Sequence, residues 1–209
     1  MKDRTGRLWA KQDQHNGDRL RLFTAVGGAI DASTVLYPGS YVDVAPSFVF
    51  VDVTYVDVDR RAEQFFDDEA GVGEIVRNHR SADPRATWRF IRADYTSDLS
   101  IPDDHYDLLV SLYAGFVSEH CTQYVRPGGH LLVNSSHGDA AMASLDPRYR
   151  LVGAVKSRGG TYTLVDRDLD QFLIPKRSVE ITAERLHLSG RGVAYTKPAF
   201  AYLFEHVAA

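Results

Sequence analysis

The sequence predicts a doubly wound α/β domain: a mostly parallel sheet of seven strands with helices on both faces. Short β-branched and apolar runs alternate with stretches of helical spacing, which is typical of parallel strands joined by helices. Residues 106–112 are almost continuously apolar, as in a strand buried on both faces. The 209 residues suit one domain, which at this length buries roughly 70% of its unfolded surface.

The chain before the first strand reads as an arm followed by a helix. Residues 1–17 are polar and mixed, so we expect an N-terminal arm or short helix laid on the body. Residues 18–30 have apolar positions near helical spacing and predict a helix. Asp18 is the candidate N-cap, and Gly27-Gly28 weakens the end of this helix.

The remaining elements follow from the same two patterns. Seven strands are predicted over residues 34–37, 53–56, 88–91, 106–112, 130–133, 149–155 and 161–165. Helices are predicted over residues 60–66, 73–80 and 114–125, with a turn at Pro127-Gly128-Gly129. No helix separates the last two strands, so one of them must run antiparallel. Residues 175–209 are rich in aromatic side chains and are expected to pack on the body as a C-terminal extension.

Composition excludes several classes of protein. The 24 Lys+Arg and 28 Asp+Glu give a formal net charge of −4, which disfavours nucleic acid as a partner because phosphate binding needs a basic face. No apolar run reaches the roughly 18 residues of a membrane span, no signal peptide is visible, and no Cys/His cluster has metal-ligand spacing. With Cys121 as the single cysteine, no intramolecular disulfide is possible, and we expect a cytoplasmic protein without a metal.

In an open parallel sheet ligands bind at the carboxyl ends of the strands, so the loops after the strands carry the candidate site. Pro38-Gly39-Ser40 follows the first strand, and its one glycine lets backbone approach a ligand; it can equally be a plain turn. It lacks the glycines of a dinucleotide fingerprint, and the chain has no P-loop. Asp57-Val58 follows the second strand, 18 residues past Gly39, where a carboxylate can accept both hydroxyls of a ribose. Asp59 is the better candidate for a helix cap.

Three further loops complete the candidate site. Asp94-Tyr95 follows the third strand, where the carboxylate can accept from an adenine amino group or can be an ordinary turn residue. Ser111-Leu112-Tyr113 follows the fourth strand and suits the edge of a flat ligand, although Tyr113 can also be a core residue. His137 follows the fifth strand and is the candidate catalytic base; the alternative is an exposed loop histidine.

Three stretches in order resemble the class I S-adenosylmethionine-dependent methyltransferases. They are residues 90–94, ending in Asp94, then residues 101–110 with a Pro-Asp-x-x-Tyr-Asp step, and residues 124–133 with Val-Arg-Pro-Gly-Gly. With Asp57, the resemblance covers residues 30–165 and implies a Rossmann-like methyltransferase fold that binds S-adenosylmethionine. The first loop departs from the family pattern, because Tyr37 stands where an acidic residue is expected and only Gly39 of the glycines is kept. Asp43 is the nearest carboxylate.

The resemblance implies methyl transfer to a small-molecule acceptor. The Asn/Asp-Pro-Pro-Tyr signature of amino-methylating members is absent after the fourth strand, which disfavours a nucleobase or an amide acceptor. We expect the N-terminal arm and the C-terminal extension to cover the site and shape the choice of acceptor. Two alternatives remain open: a non-catalytic cofactor-binding or scaffold protein of the same fold, and another nucleoside-ligand transferase such as an aminopropyl transferase.

Overall fold

The computed structural model describes residues 1–79, 86–178 and 180–207. Arg80, the last residue of the predicted helix 73–80, and residues 208–209 of the predicted C-terminal extension lie outside them. The strands are β1 Thr34–Pro38, β2 Asp52–Val56, β3 Thr87–Ile91, β4 Tyr106–Ser111, β5 Val125–Val133, β6 Tyr149–Arg158, β7 Thr161–Val165 and β8 Ala201–His206. The α-helices are α1 Asp3–Gln12, α2 Asp18–Gly27, α3 Arg60–Phe66, α4 Glu69–His79, α5 Val117–Cys121, α6 Asp139–Leu145 and α7 Ala183–Ser189.

The described strands form one sheet in the order β3-β2-β1-β4-β5-β8-β6-β7. The first five are parallel: Val35 of β1 lies opposite Val53 of β2 on one side and Leu108 of β4 on the other. β6 and β7 pair antiparallel, which confirms the expectation for the last two predicted strands. The chain runs from β1 to β2 and β3 on one side and then returns to β4 on the other side, so the strand order reverses at β1. The carboxyl ends of β1 and β4 therefore form the crevice of the sheet.

The predicted doubly wound α/β fold is confirmed, but among the described residues the sheet has eight strands and not seven. The additional strand, β8, comes from the segment expected only to pack on the body. It runs antiparallel between β5 and β6, pairing Leu131 with Phe204 and Leu151 with Phe204. Tyr202, Leu203 and Phe204 are each at most 1% exposed. A strand with a neighbour on each side and both faces buried is continuously apolar. This burial explains the aromatic content of residues 201–206.

Two predicted helical features differ in the structure. Gly17, in the left-handed region at φ +74°, precedes α2, and the Asp18 side chain makes no capping bond. The Asp18 carboxylate instead accepts a hydrogen bond of 2.7 Å from the hydroxyl of Tyr162. The helix expected over residues 114–125 shrinks to α5 and a 3-10 turn at Thr122–Tyr124, because Val125 already begins β5. The predicted turn at residues 127–129 lies within β5, opposite a register shift in β4.

Alternation along β1 divides the core between the two faces of the sheet. Val35 and Tyr37 belong to one apolar cluster with Phe23 of α2, and Leu36 belongs to another with Val117 of α5. Within the described ranges, no helix is long and apolar enough to cross a bilayer. The same residues include no group of three or more His, Cys, Asp or Glu side chains that could hold a metal ion.

Asp107 ties three strands together at the amino edge of the sheet. Its carboxylate accepts bonds from the backbone N–H groups of Ser33 and Thr34 at the start of β1 and an ion pair of 2.5 Å from Arg126 at the start of β5. Burial raises the pKa of this carboxyl, but the bonds from Arg126, Thr34 and Ser33 outweigh burial and lower it to about 2. Two of the family-like stretches therefore meet in one structural ion pair, at the edge opposite the candidate site.

Candidate functional site

The loop after β1 is fastened to the end of β2 at the carboxyl edge. Pro38 is the buried last residue of β1, and the N–H of Gly39 donates to the carbonyl of Val56 over 2.8 Å. Gly39 has φ +65°, and a Cβ there would collide with the side chain of Ala114 in the loop after β4. Glycine is therefore required both by backbone conformation and by space. The loops after β1 and β4 touch at this point.

Asp57 lies where the sequence places it, directly after β2, and is partly exposed. One carboxylate oxygen accepts the N–H of Tyr41 over 2.7 Å, and the other accepts the N–H of Asp59 over 2.7 Å. The side chain thus fixes the loop after β1 as well as its own. Each oxygen keeps a further acceptor site, because an ionised carboxylate has about four.

Asp59 is the N-cap of α3, as predicted, and its carboxylate accepts the N–H of Arg61 over 2.7 Å. The bond from the Arg61 side chain is the largest cause that lowers the pKa of Asp59, and burial opposes it only in part. Val58, between the two aspartates, is 60% exposed. An apolar side chain left in solvent beside a free acceptor offers a surface to a flat ligand.

Asp94 follows β3 and is exposed. Its carboxylate accepts the N–H of Thr96 over 3.0 Å and the Thr96 hydroxyl over 2.8 Å, and these bonds lower its pKa. Asp94 thus makes the hydrogen bonds of a turn residue, and its exposed acceptor sites also allow the ligand interpretation. The hydroxyl of Tyr95 donates to the carbonyl of Ala114 over 3.1 Å, so the loop after β3 holds the loop after β4.

A buried cluster replaces the acidic residue that the family pattern expects at the end of β1. Tyr37 donates its hydroxyl to Asp43 over 3.2 Å, and Arg19 of α2 lies 3.3 Å from the same carboxylate. Asp43 is 2% exposed. Burial raises the pKa of Asp43, and the Arg19 charge lowers it in part. The chain thus brings a carboxylate to the end of β1 from six residues further along, and neutralises it internally.

A cavity of about 370 Å³ opens beside this cluster. Tyr41, from the loop after β1, and Tyr113, from the loop after β4, line this cavity. Phe200, from the chain leading into β8, lines it as well. The other lining residues come from the N-terminal segment: Leu8, Lys11, Gln12, Asp13, Gln14, His15, Asp18 and Arg19. Tyr41 and Tyr113 have φ of +49° and +64°, a strained conformation for bulky residues. The Arg19 guanidinium lies 5.2 Å from the Tyr113 ring.

Sequence reasoning missed the contribution of Arg19 and Tyr41 to this cavity. Tyr41 stands two residues past Gly39 and could have been found from its position in the loop after the first strand. Arg19 carries no such signal, since it reaches Asp43 and Tyr113 only through the packing of α2 on the sheet.

Two of the predicted contacts after β4 are turned inward. Ser111 is 1% exposed, and its hydroxyl donates to the carboxylate of Asp139 at the start of α6. Leu112 is 3% exposed within the core. Their side chains therefore do not line the edge, because the loop bends outward only at Tyr113, which is 53% exposed.

Asp139 is a buried carboxylate that sequence reasoning did not single out. It is 1% exposed and accepts from the hydroxyl of Ser118 over 2.5 Å as well as from Ser111. Burial raises the pKa of Asp139 to about 6, although the bonds from Ser111 and Ser118 oppose the shift. These bonds hold the starts of α5 and α6 against the end of β4.

His137 lies in the turn after β5, exposed and in the left-handed region at φ +58°. The next residue, Gly138, packs against the segment between β7 and β8: a Cβ there would lie 3.1 Å from the carbonyl oxygen of Arg191 and 3.3 Å from Leu186. His137 is thus free to meet a ligand and stands next to the chain that covers the end of β5.

Comparison with solved structures defines the fold. A candidate methyltransferase from Haloferax volcanii, solved in complex with the Trm112 methyltransferase activator, is similar over 97% of this chain and 96% of its own, with TM-score 0.51 and 17% identity. A SAM-dependent methyltransferase from Aquifex aeolicus matches over 74% of this chain and 96% of its own, with TM-score 0.50 and 14% identity. This chain has the methyltransferase fold.

An O-methyltransferase from Bacillus cereus, solved with SAH, has the same fold at TM-score 0.50 and 10% identity, over 78% of this chain and 89% of its own. This chain spans about half the length of two other neighbours, 55% of a protein from Bacillus halodurans and 45% of the [4+2]-cyclase SpnF. No family model matches the sequence, and none of the curated proteins does. The fold of methyltransferases is thus established by structure and not by sequence.

Proposed function

We propose that the protein is an S-adenosylmethionine-dependent methyltransferase that acts on a small-molecule acceptor. One observation carries the proposal: the ends of three neighbouring parallel strands present accessible groups in a row. They are the left-handed Gly39 after β1, the partly exposed carboxylate of Asp57 beside the exposed Val58 after β2, and the exposed carboxylate of Asp94 after β3. This row supports binding of a nucleoside at the crevice of the sheet.

The residues present fit the adenosine half of this cofactor. Asp57 has a free acceptor site on each oxygen for a ribose hydroxyl, Val58 offers apolar surface to the base, and Asp94 can accept from the amino group of an adenine. Ser40 is 2% exposed, and its hydroxyl has no hydrogen-bond partner among the described residues, which marks an unmet polar contact in the loop after β1. Tyr41 and Tyr113 line the adjoining cavity, where the methionine half would lie.

S-adenosylmethionine, when bound, supplies a methyl group already activated by a sulfonium. The protein then has to hold the acceptor in line and to receive a proton where the acceptor loses one. His137 is the candidate base, exposed next to this edge. Its neighbour Gly138 is pressed against Leu186, which keeps the turn in place.

A small acceptor is favoured over nucleic acid by charge and shape. The net charge is −4, and the 370 Å³ cavity beside the edge has Asp13 and Asp18 beside Lys11 and Arg19, so its walls do not form a basic track. The enclosing N-terminal segment supports a ligand of limited size. Salt-dependent, tight binding of tRNA or duplex DNA would contradict this choice of acceptor.

The test is to replace Asp57 and to use Asp59 as the matched control, since the two aspartates lie two residues apart. Asp57→Ala should weaken binding of S-adenosylhomocysteine by about ten- to a hundred-fold, because hydrogen bonds to a charged group contribute ~1.5–3 kcal/mol each. Asp59→Ala should leave affinity within about two-fold and reduce the free energy of unfolding by about 1 kcal/mol, as expected for loss of a helix cap. Calorimetric titration and thermal unfolding measure both.

Asp57→Ala should also destabilise the fold, since the carboxylate holds the N–H groups of Tyr41 and Asp59. We therefore compare affinities under conditions where each variant is at least 95% folded. Equal affinity of Asp57→Ala and the unsubstituted protein, or loss of binding in Asp59→Ala alone, would contradict the proposed ribose site.

A second candidate is a cofactor-binding protein of this fold without catalysis. Two observations favour it: the loops after β1 and β4 touch at Gly39 and Ala114, and Asp43 is neutralised by Arg19. Both lie where the methionine half would be held. A nucleoside that lacks this half separates the two candidates: the catalytic protein binds S-adenosylhomocysteine much more tightly than adenosine, and the non-catalytic one binds both alike.

A further inference from the structure

A second cavity, of about 780 Å³, lies within the segment between β7 and β8. All of its walls come from residues 175–194, which include α7. This volume is in the range of small-molecule sites, roughly 300–1,000 Å³. None of the loops of the candidate cofactor site lines this cavity, so it is a separate feature of the molecule.

The walls of this cavity combine positive charge with apolar surface. Lys176, Arg177, Arg185 and Arg191 line it, and among the described lining residues only Glu180 carries a carboxylate. Residues 175–194 contain four Lys or Arg and two Glu, whereas the whole chain has 24 Lys+Arg and 28 Asp+Glu. The positive charge is therefore local, on a protein that is acidic overall.

Three of these cations have no partner within the part of the chain that the structure describes. The ammonium of Lys176 and the guanidinium groups of Arg177 and Arg191 make no ion pair or hydrogen bond with a described residue. Arg185 donates to the carbonyl of Glu180 over 3.0 Å. Four cations gathered around one carboxylate repel one another, and an anion in the cavity would relieve the repulsion.

The apolar part of the cavity includes a side chain that is largely exposed to solvent. Leu188 lines it and is 82% exposed, the largest exposure among the large apolar side chains of the described residues. Ile181 and Val193 line it as well and rest on a small cluster with Leu186 and residues of α6. A ligand that satisfies this cavity must bring apolar surface together with negative charge.

The cavity is joined to the end of β5, where His137 stands. Leu186 and the carbonyl of Arg191, both from its walls, press on Gly138, and Gly192 is packed against the backbone of Ser135. The His187 ring nitrogen Nε2 lies 2.8 Å from Glu119 of α5. These contacts fasten the segment over the loop that carries the candidate base.

We propose that this cavity binds a small anion with an apolar body, such as an aryl or alkyl carboxylate, sulfonate or phosphate ester. This proposal does not depend on the proposed methyl transfer. The cations hold the anionic group, and Leu188, Ile181 and Val193 cover the apolar body. A concave site of this size favours a single small molecule over a membrane surface.

The test uses two fluorescent probes that differ in charge. The anion 8-anilinonaphthalene-1-sulfonate should bind the folded protein, and uncharged N-phenyl-1-naphthylamine should bind more weakly. Replacing both Arg177 and Arg191 by Gln should weaken the anion by about five- to ten-fold, since each exposed ion pair contributes up to ~1 kcal/mol, and should leave the uncharged probe nearly unchanged. Leu188→Asn should weaken both probes.

Arg158→Gln is the matched control, because Arg158 is an exposed arginine at the end of β6, outside the cavity. It should change the affinity of neither probe, and the melting temperature of every variant is measured alongside. Absence of anion binding by the unsubstituted protein, equal weakening in Arg158→Gln, or binding only to phosphatidylglycerol vesicles would overturn the proposal.

The outcome is independent of the cofactor. If the protein binds S-adenosylhomocysteine but not the anionic probe, only this inference is contradicted. If it binds the probe but not S-adenosylhomocysteine, only the proposed function is contradicted. We expect the protein to bind both compounds. Neither addition of S-adenosylhomocysteine nor the substitution Asp57→Ala should reduce binding of the probe.

Discussion

The two edges of the sheet use their aspartates in different ways. At the amino edge, Asp107 is bonded to Ser33, Thr34 and Arg126 and holds three strands together. At the carboxyl edge, Asp57 accepts the N–H groups of Tyr41 and Asp59, Asp94 accepts that of Thr96, and both carboxylates keep acceptor sites accessible to solvent. The residues that made the family resemblance visible in the sequence are therefore partly structural, and the accessible acceptors lie at the other edge.

Asp139 shows that position at the carboxyl edge is not sufficient for a ligand site. It stands at that edge, but it is 1% exposed and its oxygens accept from Ser111 and Ser118. The number of protein partners and the exposed fraction, rather than the strand a residue follows, separate a ligand group from a structural one. Three substitutions and one titration test this distinction.

The largest effect should come from His137. His137→Ala should lower the turnover of an acceptor that ionises by about 100-fold, within the range found for general bases, and leave affinity for S-adenosylhomocysteine within about two-fold. His105→Ala is the control, because His105 is an exposed histidine at the amino edge, beside Tyr106. Rates measured from pH 6 to 9 should change for the first variant only; equal loss in both would remove His137 from the mechanism.

Asp139 should affect stability with a distinct dependence on pH. Its pKa is raised to about 6 in the folded protein, above the ordinary value of an aspartate, about 3.9. The folded state therefore favours the protonated form, and this contribution is present below pH 4 and lost as pH rises to 6. The loss should be at most about 3 kcal/mol, at 1.36 kcal/mol per pKa unit.

Asp139→Asn keeps the shape of the side chain and does not titrate, so the difference in free energy of unfolding between the two proteins should change between pH 4 and pH 6. Urea unfolding at each pH measures it. A difference that is constant with pH would contradict the raised pKa, and a large loss of cofactor affinity at pH 7 would place Asp139 in the ligand site.

The smallest effect should come from Asp107, with the opposite sign. Its pKa is lowered to about 2, so its contribution to stability is present above pH 4 and lost as pH falls towards 2. We expect Asp107→Asn to cost about 1 kcal/mol at pH 7, because the Arg126 partner is 42% exposed and solvent screens the pair. Cofactor affinity should not change, and urea unfolding with calorimetry checks both.

The parallel half of the fold could be predicted from the sequence because its signals are local. Strand β1 and helix α3 follow from short apolar runs and helical spacing, and Asp59 is recognisable as a cap because it directly precedes its helix. The antiparallel pairing of β6 and β7 follows from the lack of a helix between them.

The remainder depends on contacts far apart in sequence. The place of β8 in the sheet depends on its pairing with β5 and β6, which begin some 76 and 52 residues earlier in the chain. The Arg19–Asp43 ion pair and the contact between Gly39 and Ala114 likewise join segments whose spacing carries no pattern. The charges of the cationic cavity all lie within residues 175–194, but the path of the chain decides which of these side chains line one cavity.

The most direct test of the account is a calorimetric titration of the intact protein with S-adenosylhomocysteine. If the carboxyl edge binds the nucleoside through Asp57 and Asp94, the titration should show one site per chain with a dissociation constant in the micromolar range, about −8 kcal/mol. The melting temperature should rise with ligand concentration. No heat and no thermal stabilisation at millimolar S-adenosylhomocysteine or S-adenosylmethionine would contradict the central claim that this edge is a cofactor site.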